Sequence, residues 1–296
     1  MEILEILKVV LLGVVEGITE WLPISSTGHM LLLDEIFPLK LSESFKEMFI
    51  VVIQLGAILA VLCLFWKKLF PFKRVPAPLE TENEAEKSQV KMRIVADKKI
   101  FTLWGKVLVA CLPAAVIGLA FDDLLEKYLQ TPLVISITLI VYGVAFILLE
   151  KRNEKRELPV KTTDEISYKQ ALIIGAFQVL SLIPGTSRSG ATIIGALLIG
   201  VSRPAGAEFT FFLAIPVMFG ASALKILKFF LKSGGFSGAE WGYLLIGCAV
   251  AFAVSLFAIK FLMDFVKKHD FKVFGWYRIA LGVIVIATLV VPSFFS

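Results

Sequence analysis

Six apolar runs, near residues 48–66, 101–121, 132–149, 209–231, 241–263 and 275–292, constrain this chain more than any other feature. Each approaches the roughly 20 residues that a helix needs to cross a bilayer. With 57% hydrophobic residues and a mean hydropathy of +0.83, the chain has too little polar surface to cover a soluble core. The expected class is an all-α polytopic membrane protein with about six spanning helices. Charged residues cluster between the runs, so the net charge of +5 belongs to loops that face an anionic leaflet. No basic stripe interleaved with exposed aromatics points to nucleic acid. Cys63, Cys111 and Cys248 lie in apolar runs without metal spacing and read as small packing residues. The first apolar stretch carries Glu2, Glu5 and Lys8 and no small-residue cleavage site, so it reads as part of the fold rather than a cleaved leader.

Two further apolar regions are short and broken. Residues 3–22 run into Pro23 and SSTGH, then resume at 30–38. Residues 166–183 run into Pro184 and TSRSG, then resume at 191–201. Paired segments interrupted by Pro and Gly are expected to be re-entrant helix hairpins. The two regions also resemble each other: Gly13 matches Gly175, Glu16 matches Gln178, Thr19 matches Ser181, Pro23 matches Pro184 and Gly28 matches Gly190. Downstream, residues 51–70 align with 211–230, and WGKVLVACLPAAV aligns with WGYLLIGCAVAFA. The chain therefore reads as two copies of one unit, about 1–152 and 160–296, in a single membrane domain.

Lysines and arginines crowd the loop at 67–100 and the loop at 151–161, which the hairpin 101–149 places on one side. The positive-inside rule makes that side cytoplasmic. The first broken region then enters from outside and the second from inside, so the copies are inverted and their polar turns meet within the membrane. Lys225, Lys228 and Lys232 fall outside and run against this orientation.

The turns carry unusual chemistry for that depth. Glu16 and Glu20 share one helical face. At membrane depth an ionised residue costs ~2.5–3.5 kcal/mol, so both carboxylates and Arg188 would cost on the order of 8–10 kcal/mol if isolated. They must be compensated. A structural Arg–Glu ion pair, a divalent cation on Glu16 and Glu20, and an anionic phosphate group on Arg188 are three ways to do so. The last two combine naturally, because a metal and an arginine around a phosphate suit phosphoryl transfer. His29 lies within a turn of Ser26 and Thr27, and a hydroxyl beside an imidazole is the basic pair for an activated nucleophile. Glu20 as base, or His29 as general acid, are alternatives. His269 sits in a charged loop and reads as a solvated residue.

EGITEWLPISSTGHM resembles the first signature of the undecaprenyl-diphosphatase family, the bacitracin-resistance proteins of bacterial membranes, and PGTSRSGAT resembles the second. The intervening VVIQLGAILAV and SRPAGAEFTFFLAIPVM are also similar to that family. The resemblance implies hydrolysis of undecaprenyl diphosphate to undecaprenyl phosphate and inorganic phosphate, tolerance to bacitracin, and dependence on a divalent metal such as Mg2+ or Ca2+. It also implies a multi-pass protein of the bacterial inner membrane with its site open to the outer face. By the same resemblance Glu16 and Glu20 hold the metal or position water, Arg188 binds phosphate charge, and Ser26 is the candidate nucleophile with His29 as acid or base. Ser25, Thr27, Ser187, Ser189 and Thr192 bind phosphate oxygens or fix the turns, and grooves between helices take the isoprenoid tail. The expected partners are the polyprenyl diphosphate and membrane lipids, with a homodimer left open. The rival reading is a carrier for an anionic lipid or phosphate-containing solute, because inverted repeats with broken helices are also a transporter architecture.

Overall fold

The computed structural model describes residues 2–78 and 90–292. In chain order its helices and strands are α1 (Ile3–Thr19), α2 (Ser26–Ile36), α3 (Glu43–Leu64), α4 (Trp66–Leu69), β1 (Phe72–Pro78), β2 (Val90–Ala96), α5 (Lys98–Leu129), α6 (Pro132–Asn153), α7 (Tyr168–Val179), α8 (Arg188–Leu198), α9 (Arg203–Ser233), α10 (Gly238–Lys268) and α11 (Lys272–Val285). Six helices are long and apolar enough to cross a membrane: α3, α5, α6, α9, α10, and α11 with its continuation to Val290. They are the six apolar runs. Their outer surfaces are apolar where a soluble protein would be polar, as at Leu119 and Phe257, each 75% exposed. The protein is an all-α polytopic membrane protein.

The helix ends follow local chemistry. Thr131 caps α6 by accepting from the Val134 N–H, with Pro132 at the first helical position. Ser167 with Gln170, and Ser237 with Glu240, form reciprocal capping boxes at α7 and α10. Gly234, left-handed at φ 75°, ends α9.

The segment expected as a charged loop, 67–100, is more ordered than that. It contains α4 and an antiparallel hairpin in which Phe72 pairs with Ala96 and Pro78 with Val90. Alternation of apolar with charged residues in VKMRI suits a strand, and the loop reading passed over it. The acidic residues 79–89 of that loop lie outside the described residues.

The packing places the two broken regions in matched surroundings. α1 lies along α10, and α7 lies along α5. A Cβ on Gly13 would come within 2.9 Å of the Gly247 carbonyl, and one on Gly175 would strike the Ala110 carbonyl. Small residues at such crossings let helix backbones approach closely where lipid offers no hydrophobic drive. The Glu2 N–H donates to the Tyr243 hydroxyl, so α1 begins at the start of α10. A Cβ on Gly105 would meet the Tyr168 hydroxyl, so α7 begins near the start of α5. The two broken helices enter from opposite ends of the bundle, and the breaks meet in its interior. Around them sits a core rich in aromatics, including Trp21, Phe146, Phe209, Phe211 and Phe212, all fully buried.

Candidate active site

Each break is built the same way. α1 stops at Thr19, Pro23 follows, and α2 begins at Ser26. α7 stops at Val179, one 3-10 turn and Pro184 follow, and α8 begins at Arg188. Proline cannot continue the helix that precedes it. The residue before each new helix, Ser25 or Ser187, takes a left-handed φ of 72° or 71°. Among the described residues these are the non-glycine residues with positive φ. Such a backbone is strained by about 1–3 kcal/mol and persists only where its surroundings hold it. Here each serine caps the next helix: the Gly28 N–H donates to Ser25 Oγ at 3.4 Å and the Gly190 N–H to Ser187 Oγ at 3.2 Å.

The breaks are joined by ionic chemistry. Arg188 Nη2 and Nε donate to Glu20 Oε1 at 3.0 and 3.3 Å. The side chains are only 12% and 7% exposed, so removal of either partner would strand a buried charge. The other Glu20 oxygen, Oε2, accepts from Ser26 Oγ at 3.2 Å. Glu20 thus binds the arginine with one oxygen and the serine hydroxyl with the other. Ser189 Oγ donates to the Glu20 carbonyl at 3.1 Å, which fixes the backbone beneath that carboxylate. Arg188 Nη1 donates to the Thr210 carbonyl at 3.1 Å, and Thr192 Oγ1, which accepts from Thr210 Oγ1, donates back to the Arg188 carbonyl at 2.9 Å. Ser25, Ser187, Ser189 and Thr192 therefore hold the breaks, whereas Ser26 and Thr27 line an open cleft.

That cleft has a volume of about 440 Å³. Glu16, Ser26 and Thr27 sit in its wall; Met30, Leu31 and Ile50 make it partly apolar, and Lys46 and Lys225 reach it from α3 and α9. Glu16 is fully buried and, among the described residues, neither carboxylate oxygen has a hydrogen-bond donor. The charges acting on it are those of Glu20 and Arg188. Two orphaned hard oxygens beside a second carboxylate are a donor set that fits a divalent cation. Among the described residues no group of three His, Cys, Asp or Glu side chains converges, so water or ligand oxygens would complete the shell.

His29 is placed differently from the serine–imidazole pair its position suggests. Its Nδ1 lies 2.7 Å from the Ser25 carbonyl, which can only accept, so Nδ1 carries the proton. The lone pair on Nε2 then faces the Tyr277 hydroxyl at 2.7 Å. Among the described residues His29 makes no hydrogen bond to Ser26 or Thr27; Glu20 holds the Ser26 hydroxyl instead.

Sequence reasoning missed Tyr277 and its neighbour Arg278. Arg278 is fully buried. Nη1 donates to the Pro23 carbonyl at 3.2 Å, and Nη2 to the Gly185 and Thr186 carbonyls at 2.8 and 2.9 Å. One guanidinium clamps the backbone of both breaks, and the ring of Tyr142 lies 5.7 Å from it. The signal was present: an arginine within an apolar run of spanning length marks a functional position by default.

A family model described as bacitracin resistance protein BacA matches residues 9–284. An undecaprenyl-diphosphatase of Enterococcus faecalis is 62% identical over 286 residues, which is 97% of this chain and 98% of that protein. Proteins of the same name from Acetivibrio thermocellus and Lactococcus lactis subsp. lactis are 56% and 54% identical, and each alignment covers 96% of this chain and 96–97% of the relative. The chain thus belongs to the BacA bacitracin-resistance family.

Proposed function

We propose that this chain hydrolyses undecaprenyl diphosphate to undecaprenyl phosphate and inorganic phosphate, with Ser26 as nucleophile, Glu20 as its base and Arg188 as counter-charge for the phosphate. The observation that carries this reading is the divided Glu20 carboxylate, bound to Arg188 through Oε1 and to the Ser26 hydroxyl through Oε2. Ser26 Oγ attacks the terminal phosphorus as its proton passes to Oε2. The Oγ–P bond forms while the bridging P–O bond breaks, and its electron pair leaves with undecaprenyl phosphate. Water then attacks the phosphoserine. Its oxygen bonds phosphorus as the Oγ–P bond breaks, both of its protons stay on the released phosphate, and Glu20 returns to Oγ the proton it took from Ser26. Arg188, held beside Glu20, supplies the positive charge that offsets the phosphate, while His29, held at both ring nitrogens, orients the turn that carries Ser26. Glu16, whose two oxygens are left without donors beside Glu20, would hold a divalent ion such as Mg2+ or Ca2+, which when bound neutralises diphosphate charge. Thr27 faces the cleft as a donor to phosphate oxygens. The partly apolar walls take the first isoprene units of the tail.

The same reading sets the chain in the bacterial plasma membrane with the cleft toward the outer face. The cleft and the lysine-rich loops lie at opposite ends of α3, which supports that orientation. Lys225, one of the lysines on the wrong side by charge rule, lines the cleft, where an anionic substrate gives a cation a reason to be. We also read the chain as two inverted copies, about 1–152 and 160–296. The matched caps Ser25 and Ser187 and the matched crossings Gly13–Gly247 and Gly175–Ala110 support this.

Purified protein is expected to release phosphate from a long-chain isoprenyl diphosphate, to stop when a chelator is added, and to yield a labelled phosphoenzyme that Ser26→Ala does not form. Passage of the lipid across liposomes with no phosphate released would overturn the hydrolase reading in favour of a carrier. Turnover by Ser26→Ala at the wild-type rate would remove the serine and leave direct attack by water.

A further inference from the structure

A second cleft, of about 400 Å³, lies at the other end of α3 and α9 from the catalytic one. Gln54 of α3 lines the catalytic cleft, while Lys67 and Lys68, just past its end, line the second. At 1.5 Å per residue the two are separated by about 20 Å of helix. α9 runs the opposite way, with Lys225 at the catalytic cleft and Pro204, Ala205 and Glu208 at the second. The remaining walls come from the base of the β-hairpin, the first turn of α5 and the segment 161–164.

Five lysines face this cleft against three acids, Asp97, Asp164 and Glu208. Two of the acids are already engaged. Lys68 Nζ donates to both Glu208 oxygens at 2.9 and 2.7 Å and Thr163 Oγ1 donates to Oε1 at 3.1 Å, while Asp97 pairs with Lys73. Lys67, Lys99 and Lys161 are exposed and form no ion pair among the described residues. The first turn of α9 adds to their field. Its N-cap Ser202 makes no side-chain cap and donates instead to the Lys161 carbonyl at 3.4 Å, so the positive end of a 31-residue helix is left uncapped beside the cleft that Pro204 and Ala205 line. Beside the cleft, exposed rings of Trp66, Phe70, Phe72 and Phe101 contact one another in sequence at centroid distances of 4.8, 5.8 and 6.0 Å. Exposed aromatic rings at the ends of spanning helices belong at headgroup level.

We propose that this cleft binds a phosphate-bearing anion, supplied by the headgroup of an anionic lipid in the adjoining leaflet or by free orthophosphate. Uncommitted ammonium groups, a helix N-terminus and a headgroup-level position are the chemistry that recognises phosphate at a membrane surface. The volume is that of a ligand pocket rather than of an ion site. The proposal is independent of the hydrolase reading, because none of its residues belongs to the catalytic cleft.

The test is native mass spectrometry on the full chain with phosphatidylglycerol or phosphatidylcholine added, and with orthophosphate as competitor. Wild type is expected to hold phosphatidylglycerol in preference to phosphatidylcholine. The triple variant Lys67→Gln, Lys99→Gln, Lys161→Gln is expected to bind on the order of a hundredfold more weakly, at about fivefold per lysine. The triple Lys→Arg variant, which keeps the charge, should retain binding. Lipid retained against millimolar orthophosphate assigns the headgroup, whereas displacement, or binding of orthophosphate without lipid preference, assigns the free ion. Binding that is the same in wild type and the Gln variant, or absent from wild type, overturns the proposal.

Discussion

The two helix breaks share a backbone and differ in chemistry. Both follow a proline, both set a serine at φ near 71–72°, and both cap the next helix through that serine. The first residue of that next helix is Ser26 in one break and Arg188 in the other. Ten residues earlier, Glu16 in the first corresponds to Gln178 in the second; both are buried, and among the described residues the side-chain polar atoms of both lack hydrogen-bond partners. The first break thus supplies a serine hydroxyl and two carboxylates, and the second supplies a cation and a neutral amide. One structural device used twice makes a single asymmetric site, because opposite charges on the two turns compensate each other at a depth where neither alone is tolerable.

That contrast can be broken from either side. The largest effect is expected where the halves meet. Ser26→Ala, Glu20→Gln and Arg188→Gln should each lower phosphate release by at least about 10²–10⁴-fold, and Arg188→Lys should not rescue, because an ammonium cannot keep both contacts to Glu20. A steady-state assay on an isoprenyl diphosphate checks this, and near-wild-type activity in Arg188→Gln would show that the second break only scaffolds the first. Next come the matched buried positions. Glu16→Gln should weaken divalent-metal activation by roughly 10–100-fold, a loss of the size that follows damage to a metal site. Gln178→Asn should leave the metal titration unchanged, and equal shifts in the two would refute the asymmetry.

Arg278→Met tests the clamp common to both breaks. Three carbonyls lose a buried donor, each worth about 1–3 kcal/mol. The protein in detergent should unfold at markedly lower temperature; an unchanged transition would mean that the breaks hold themselves. The smallest effect belongs to the strained serines. Ser25→Gly and Ser187→Gly relieve the left-handed backbone while losing a cap that glycine replaces at a cost of a few tenths of a kcal/mol. Each should shift the unfolding temperature little, and by the same amount. A large shift in one alone would show that its serine has a role beyond capping.

How far the residues alone could take this reading varies along the chain. The six spanning helices were legible because a bilayer demands about 20 apolar residues in a row, and that length is written locally. The breaks were legible because proline and a cluster of hydroxyls interrupt an apolar run. The hairpin at 72–96 was not, because short two-stranded pairings carry a weak pattern and its charged residues read as loop. Arg278 was passed over as one polar residue in an apolar run, since its partners lie 92, 93 and 255 residues away.

Spacing also misled at His29. Three residues along a helix bring it near Ser26, yet which group a side chain meets depends on what the other helices present. α11 presents Tyr277 to His29, and the end of α1 presents Glu20 to Ser26. Composition, run length and the two motifs were sufficient to specify a membrane bundle with two polar elbows and to single out the side chains those elbows carry. The pairing of those side chains, and the opening of the cleft at one end of the bundle and the basic cleft at the other, came from packing. Hydrophobic length acts along a single segment, whereas hydrogen bonds and ion pairs act between groups that only the folded arrangement brings within about 3 Å.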